Sequence, residues 1–98
     1  MSVRVVLRPA ARAEFDEAFD WYERQRPGLG VDFVAHVQAV FDEITARPEM
    51  YAAVLEDIRR ATVRRFPYSV FYRIEPQQVV VVAVFHSRRD PTIWRERA

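Results

Sequence analysis

The polar–apolar pattern changes period near the middle of the chain. "VRVVL" (3–7) is a short β-branched run stopped by Pro9 and predicts a first strand. Beyond it Ala11, Phe15, Ala18, Phe19 and Tyr22 recur at helical spacing, with Glu14, Asp16, Glu17, Asp20 and Glu23 elsewhere on the turn. That periodicity predicts a helix over "PAARAEFDEAFDWYERQ", with Pro9 near its first turn, where a missing N–H costs nothing. "RPGLG" holds the only two glycines of the chain and breaks the pattern. Phe33, Val37, Val40, Phe41 and Ile44 then mark a second helix over roughly 31–46, stopped before Pro48.

The second half reads in twos. "IRRATVRRF" (58–66) alternates up to Pro67, and "YSVFYRI" (68–74) predicts a strand. "EPQQ" turns the chain into "VVVVAVF" (79–85), a continuous apolar run suited to a central strand. Tight connections make these three strands an antiparallel meander. The expected architecture is α+β in the order β-α-α-β-β-β, as one domain over 1–98, with the helical hairpin on one sheet face and the other face more open. "RDPTIWRERA" is expected to form a short terminal helix or an irregular arm.

Size and composition narrow the function classes. A chain of 98 residues holds one domain, and with half its residues apolar it has enough material for a core. The absence of cysteine excludes a disulfide framework, a thiolate metal site and a cysteine nucleophile. Only His36 and His86 offer imidazole, far apart in sequence, so neither a metal nor a cofactor is expected. No apolar run approaches membrane-spanning length, and the expected location is the cytoplasm, with no membrane partner. The net charge of +1 hides an asymmetry. Residues 10–57 set four arginines against eleven acidic residues, and residues 58–98 set nine arginines against three. Every cation is arginine, which suits bidentate recognition of carboxylate or phosphate and equally fits a GC-rich genome.

Candidate chemistry concentrates in the basic half. Arg59, Arg60, Arg64, Arg65 and Arg73 fall on the predicted strands, and alternation puts Arg60 and Arg64 on one face and Arg59 and Arg65 on the other. A basic sheet face could bind nucleic-acid backbone or an acidic protein segment, or be simply solvated. His86, where the apolar strand ends, is a candidate general acid or base, or a residue that caps the strand end. A ribonuclease built on it would draw on Arg64, Arg73 and Arg88 around the phosphate, with Tyr68, Tyr72 or Glu75 as second proton-transfer group. Trp21 sits about 60° beyond the apolar edge of the first helix at 100° per residue, and Trp94 lies in the terminal arm. Each could anchor a partner or pack beneath the arm. Asp90 before Pro91 signals a turn, with an ion pair to Arg88 or Arg89 open to it. The carboxylates of the first helix form no acid/base spacing and are expected on a solvated face.

Taken together, "DEAFDWYERQRPGLGVDF", "RPEMY", "VRRFPYSVFYRI" and "VVVVAVFHSRRDPTIW" resemble the RelE/ParE superfamily of type II toxins, and more closely its ParE branch. The resemblance implies a growth-inhibiting toxin neutralised by a ParD-like antitoxin, in a complex that binds operator DNA through the antitoxin. It implies antitoxin contacts on the hairpin and sheet, with Phe15, Phe19, Trp21, Tyr22, Phe33, Val37, Arg60 and Arg64 as the candidates. ParE toxins act on DNA gyrase, and by position the working portion maps onto Arg88, Arg89, Trp94 and Arg95. RelE-like relatives instead cleave mRNA on the ribosome, using sheet cations and a Tyr or His near the C-terminus. Here the tail "PTIWRERA" has neither. The expected function is thus a gyrase-binding toxin, with an mRNA endonuclease or a non-toxic co-repressor partner as alternatives.

Overall fold

The computed structural model describes residues 3–98. Strand β1 (Arg4–Leu7) leads into helix α1 (Pro9–Gln25) and helix α2 (Leu29–Ala46). Strands β2 (Ala53–Leu55), β3 (Ile58–Thr62), β4 (Tyr68–Glu75) and β5 (Gln78–His86) follow, and a one-turn helix α3 (Thr92–Arg95) ends the chain. The sheet runs β1-β5-β4-β3-β2, with β1 parallel to β5 and every other pair antiparallel. The α+β architecture, the hairpin, the meander and the terminal turn of helix follow the sequence pattern.

Three local differences matter. Strand β2 carries only "AVL", too short for a period, and it pairs with β3 as a fifth, edge strand. Strand β3 stops at Thr62, and 64–67 form a turn in which Arg65 takes a left-handed φ of 66°. Arg64 and Arg65 therefore leave the ladder, and the predicted pairing of Arg60 with Arg64 on one strand face does not form. Helix α2 also starts earlier than its apolar stripe, at Leu29.

The two glycines explain how the hairpin closes. Gly28 precedes α2 with φ 91°, a conformation that carries little cost only without a Cβ. Gly30 lies inside α2 because a Cβ there would sit 2.6 Å from Glu23 Cγ and 2.7 Å from the Phe19 carbonyl oxygen. At that close approach Glu23 Oε1 accepts hydrogen bonds from Gly30 N (2.8 Å) and Val31 N (3.3 Å). A carboxylate of α1 thus caps the amide end of α2, which leaves fewer orphan donors and favours negative charge there.

The larger core lies between hairpin and sheet. Phe33, Val37 and Ile44 of α2 meet Val70, Tyr72, Val79 and Val81 of the sheet, all fully buried. Phe66, from the β3–β4 turn, sets its ring edge-on to Tyr22 (5.0 Å) and Phe33 (5.3 Å), so the turn is tied into the core. A bulge makes the second core. Phe71 pairs with Ala83 but Tyr72 pairs with Val81, so Val82 is an extra residue of β5. Val82 and Ala83 then both pack with Ile58, Phe71, Phe85 and Trp94 on the face away from the hairpin. Trp94 stacks on Phe71 at 4.0 Å and 17°, which pins α3 to that face. No helix among the described residues is long and apolar enough to cross a membrane.

Candidate functional site

The bulged end of β5 organises the site. Strand β1 ends at Leu7, opposite Val81, so β5 runs on past its parallel neighbour. Side chains complete the edge there. Glu14 of α1 accepts from Val84 N (3.1 Å), and Arg97 Nη1 donates to the Val82 carbonyl (3.0 Å). Glu14 and Arg97 also form a bidentate pair, at 2.9 Å for each oxygen, and Arg89 Nη1 reaches Glu14 Oε2 at 2.6 Å. The Glu14 side chain is only 10% exposed. One largely enclosed carboxylate therefore ties α1, β5 and the C-terminal tail together. Geometry of this kind, with both oxygens multiply bonded, is what makes a buried ion pair hold.

His86 and Asp90 shape the connection into the arm. His86 Nδ1 accepts from Arg88 N at 3.0 Å. A backbone N–H can only donate, so Nδ1 is the accepting nitrogen of this contact. The Nδ1 lone pair is thereby engaged within the turn that follows β5. Its ring lies edge-on to Tyr68, the cross-strand partner, at 5.1 Å. Burial pushes the Tyr68 phenol above its ordinary pKa. Asp90 Oδ1 accepts from Thr92 N at 3.0 Å, and these hydrogen bonds from Thr92 hold its carboxyl below the ordinary 3.8. Asp90 makes the predicted turn, while Arg89 pairs with Glu14 instead of with it.

Two depressions meet at His86 and Arg89. One, of about 480 Å³, lies between α1 and the end of β5, with Ala13, Glu14, Trp21 and Tyr68 on its walls. The other, of about 230 Å³, opens on the sheet face away from the hairpin and is lined by Arg60, Ser69, Phe71, Trp94 and Arg95. Arg60 Nε donates to Ser69 Oγ at 3.2 Å.

The residues proposed for phosphate chemistry are scattered. Arg73 Nε pairs with Asp57 at the β2–β3 turn (3.2 Å), and Arg64 lines a separate depression with His36, Glu43 and Tyr51. The Tyr72 hydroxyl donates to the Pro48 carbonyl within the core (2.7 Å), and Glu75 accepts from Gln78 (2.8 Å). Only Arg88 and Tyr68 stay close to His86. Of the residues proposed for partner contact, Phe33 and Val37 are 0% exposed and belong to the core, so a partner reaches neither without opening the fold. Phe15, Phe19 and Tyr22 are half-buried in the hairpin, whereas Trp21 is 51% exposed beside Tyr22. Trp94 is buried as the pin of the arm, while Arg88, Arg89 and Arg95 are exposed.

Sequence reasoning missed Glu14 and Arg97. The spacing did hold a signal for Glu14: it stands three residues after Ala11 and four before Ala18, both buried, so it lies on the inward face. Among the described residues no group of His, Cys, Asp and Glu is placed to hold a metal ion.

The family model described as the ParE toxin of the type II toxin-antitoxin system parDE matches residues 5–91. Among solved structures, the chain is similar to one titled "Chromosomal ParDE TA system from P. aeruginosa", with a TM-score of 0.74 and 16% identity over 86% of this chain and 95% of that one. No curated protein sequence matches.

Proposed function

The chain belongs to the ParE toxin family of type II toxin-antitoxin systems, and from that premise we propose that it inhibits growth by binding DNA gyrase in the cytoplasm. A ParD-like antitoxin neutralises it, and the joint complex meets operator DNA through the antitoxin. The working surface is the exposed part of the terminal arm, Arg88, Arg89 and Arg95, with Trp94 acting from beneath as its anchor. The antitoxin contacts accessible members of its candidate set, above all Trp21 and Arg64.

The observation that carries a binding toxin over a ribonuclease is the engagement of His86 by its own turn. Its Nδ1 lone pair is engaged by Arg88 N (3.0 Å), and of the arginines proposed around a phosphate Arg73 pairs with Asp57 and Arg64 lines a separate depression. General acid–base catalysis needs a free base within reach of the proton it takes. The terminal arm, in contrast, presents guanidinium groups on a supported surface, which suits recognition.

Two assays run side by side test this: supercoiling by purified gyrase, and cleavage of mRNA in a coupled translation mixture. Inhibited supercoiling with intact mRNA is the expected result. Unchanged supercoiling with site-specific cuts in mRNA would replace the proposal with the endonuclease reading. A chain inert in both assays and harmless on expression without antitoxin would be a co-repressor partner.

A further inference from the structure

The depression on the face away from the hairpin sets hydrogen-bond donors around an apolar lining. Arg60, Ser69, Ser87, Arg89 and Arg95 line it, and among the described residues no carboxylate does. Arg89 is already compensated by Glu14. Arg60 commits only Nε, to Ser69 Oγ, and Arg95 has no ion pair among the described residues, its guanidinium lying 5.7 Å from the Trp94 ring centre. Two guanidinium groups thus face one small pocket with their terminal nitrogens unspent.

We infer that this pocket is a carboxylate-binding site for a protein segment in which an Asp or Glu stands beside an aliphatic residue. The inference rests on the reading of this chain as a toxin that acts by binding a protein, and it names the chemistry of the segment bound. A carboxylate matches the planar fork of arginine in a bidentate pair. The volume, about 230 Å³, suits one side chain. Whole small-molecule ligands occupy roughly 300–1,000 Å³. The lining supplies the apolar half: Val54, 47% exposed, stands on it with Pro91 and Trp94.

The same pocket is poorly made for single-stranded nucleic acid. Sequence-tolerant binding of that kind needs open aromatic faces on which bases stack. Here the rings are used internally: Trp94 lies flat on Phe71 at 4.0 Å, and the Arg89 guanidinium covers Phe85 at 4.5 Å. All three rings belong to residues no more than 5% exposed.

Selection of a displayed random-peptide library on the full chain tests the site without gyrase being present. Peptides enriched in Asp or Glu next to Leu, Ile or Val are expected. Their affinity should fall at least about tenfold in Arg60→Gln or Arg95→Gln, as when one partner of a close charge pair is lost, and hold in Arg73→Gln. In the unmodified chain, adding the selected peptide should shift the Nε–H resonances of Arg60 and Arg95, a readout independent of how the variants fold. Winners without acidic enrichment, affinity unmoved by both substitutions, or displacement of the peptide by a single-stranded RNA oligonucleotide of equal length would overturn the inference. A chain that selects acidic peptides yet leaves supercoiling untouched would keep this site and lose gyrase as its target. Inhibited supercoiling with no acidic selection would do the reverse.

Discussion

Glu14 shows how far one side chain's role can depart from its composition class. Its neighbour Asp16 pairs with Arg12 across one helical turn at 3.4 Å, both side chains more than half exposed. Such pairs contribute roughly 0–1 kcal/mol. Glu14 instead holds Val84 N, Arg89 and Arg97 from a largely enclosed position. Removing one partner of a buried pair costs about 3–5 kcal/mol, because the remaining charges lose their compensation. Urea unfolding should therefore show a markedly lower midpoint for Glu14→Ala and almost none of that change for Asp16→Ala. Equal midpoints would mean that the clamp adds nothing. Tyr51 gives a second test at this scale. Burial first, then its hydrogen bond to Glu43, pushes the phenol up to about 12 from an ordinary 10.0. The folded chain thus favours the protonated phenol. That contribution is complete below pH 10 and is lost as pH rises through about 12. Phenolate absorbance should show one tyrosine titrating near 12, and Glu43→Gln should move it down toward the ordinary value.

At the scale of elements, period and breaker residues carried most of the information. The strand, the hairpin and the meander were legible because each repeats its spacing over several turns or alternations. Strand β2 was not, since three residues hold no period and its pairing with β3 is set by the turn between them. The end of β3 was lost for a different reason. "VRRF" continues the alternation, but Phe66 turns inward onto Tyr22 and Phe33 and draws the chain out of the ladder. The hairpin's apolar stripe shows a related limit: periodicity marks a face as apolar without saying what covers it, and here the sheet covers Phe33 and Val37. Gly30 offers a sharp check on the hairpin. Gly30→Ala forces a Cβ against Glu23 and the Phe19 carbonyl, so it should destabilise by about 1–3 kcal/mol, as overpacking does, despite the better helix propensity of alanine. Thermal unfolding measures this, and a variant as stable as the parent would show that the two helices can move apart freely. For α3, Trp94→Ala removes the ring stacked on Phe71 and should cost about 3–5 kcal/mol. Amide exchange should then reveal a loosened arm, whereas an arm still protected in the variant would show that the Glu14–Arg97 pair suffices.

At the scale of the whole molecule, charge and topology work together. The acidic carboxylates lie mainly in 10–57 and the arginines mainly in 58–98. The fold puts the hairpin on one face of the sheet and the Arg60–Arg95 pocket on the other. The half-open terminal arm was visible as a sequence of cations after a buried strand. What sequence spacing could not reveal is that residues far apart in the chain, Glu14, Arg60 and Arg97, support and complete that surface. The proposed division of labour follows: a core that sets the arm in place, guanidinium groups that meet the target, and a separate exposed tryptophan toward the antitoxin. Its most direct test is inhibition of gyrase supercoiling by the unmodified chain and by an Arg88→Ala/Arg95→Ala double variant of unchanged melting temperature. The account predicts inhibition by the parent and at least about a tenfold higher concentration requirement for the variant, the loss expected when charged contacts to a partner are removed. Inhibition of equal potency by both chains would contradict the terminal arm as the working surface, and no inhibition by either would contradict gyrase as the target.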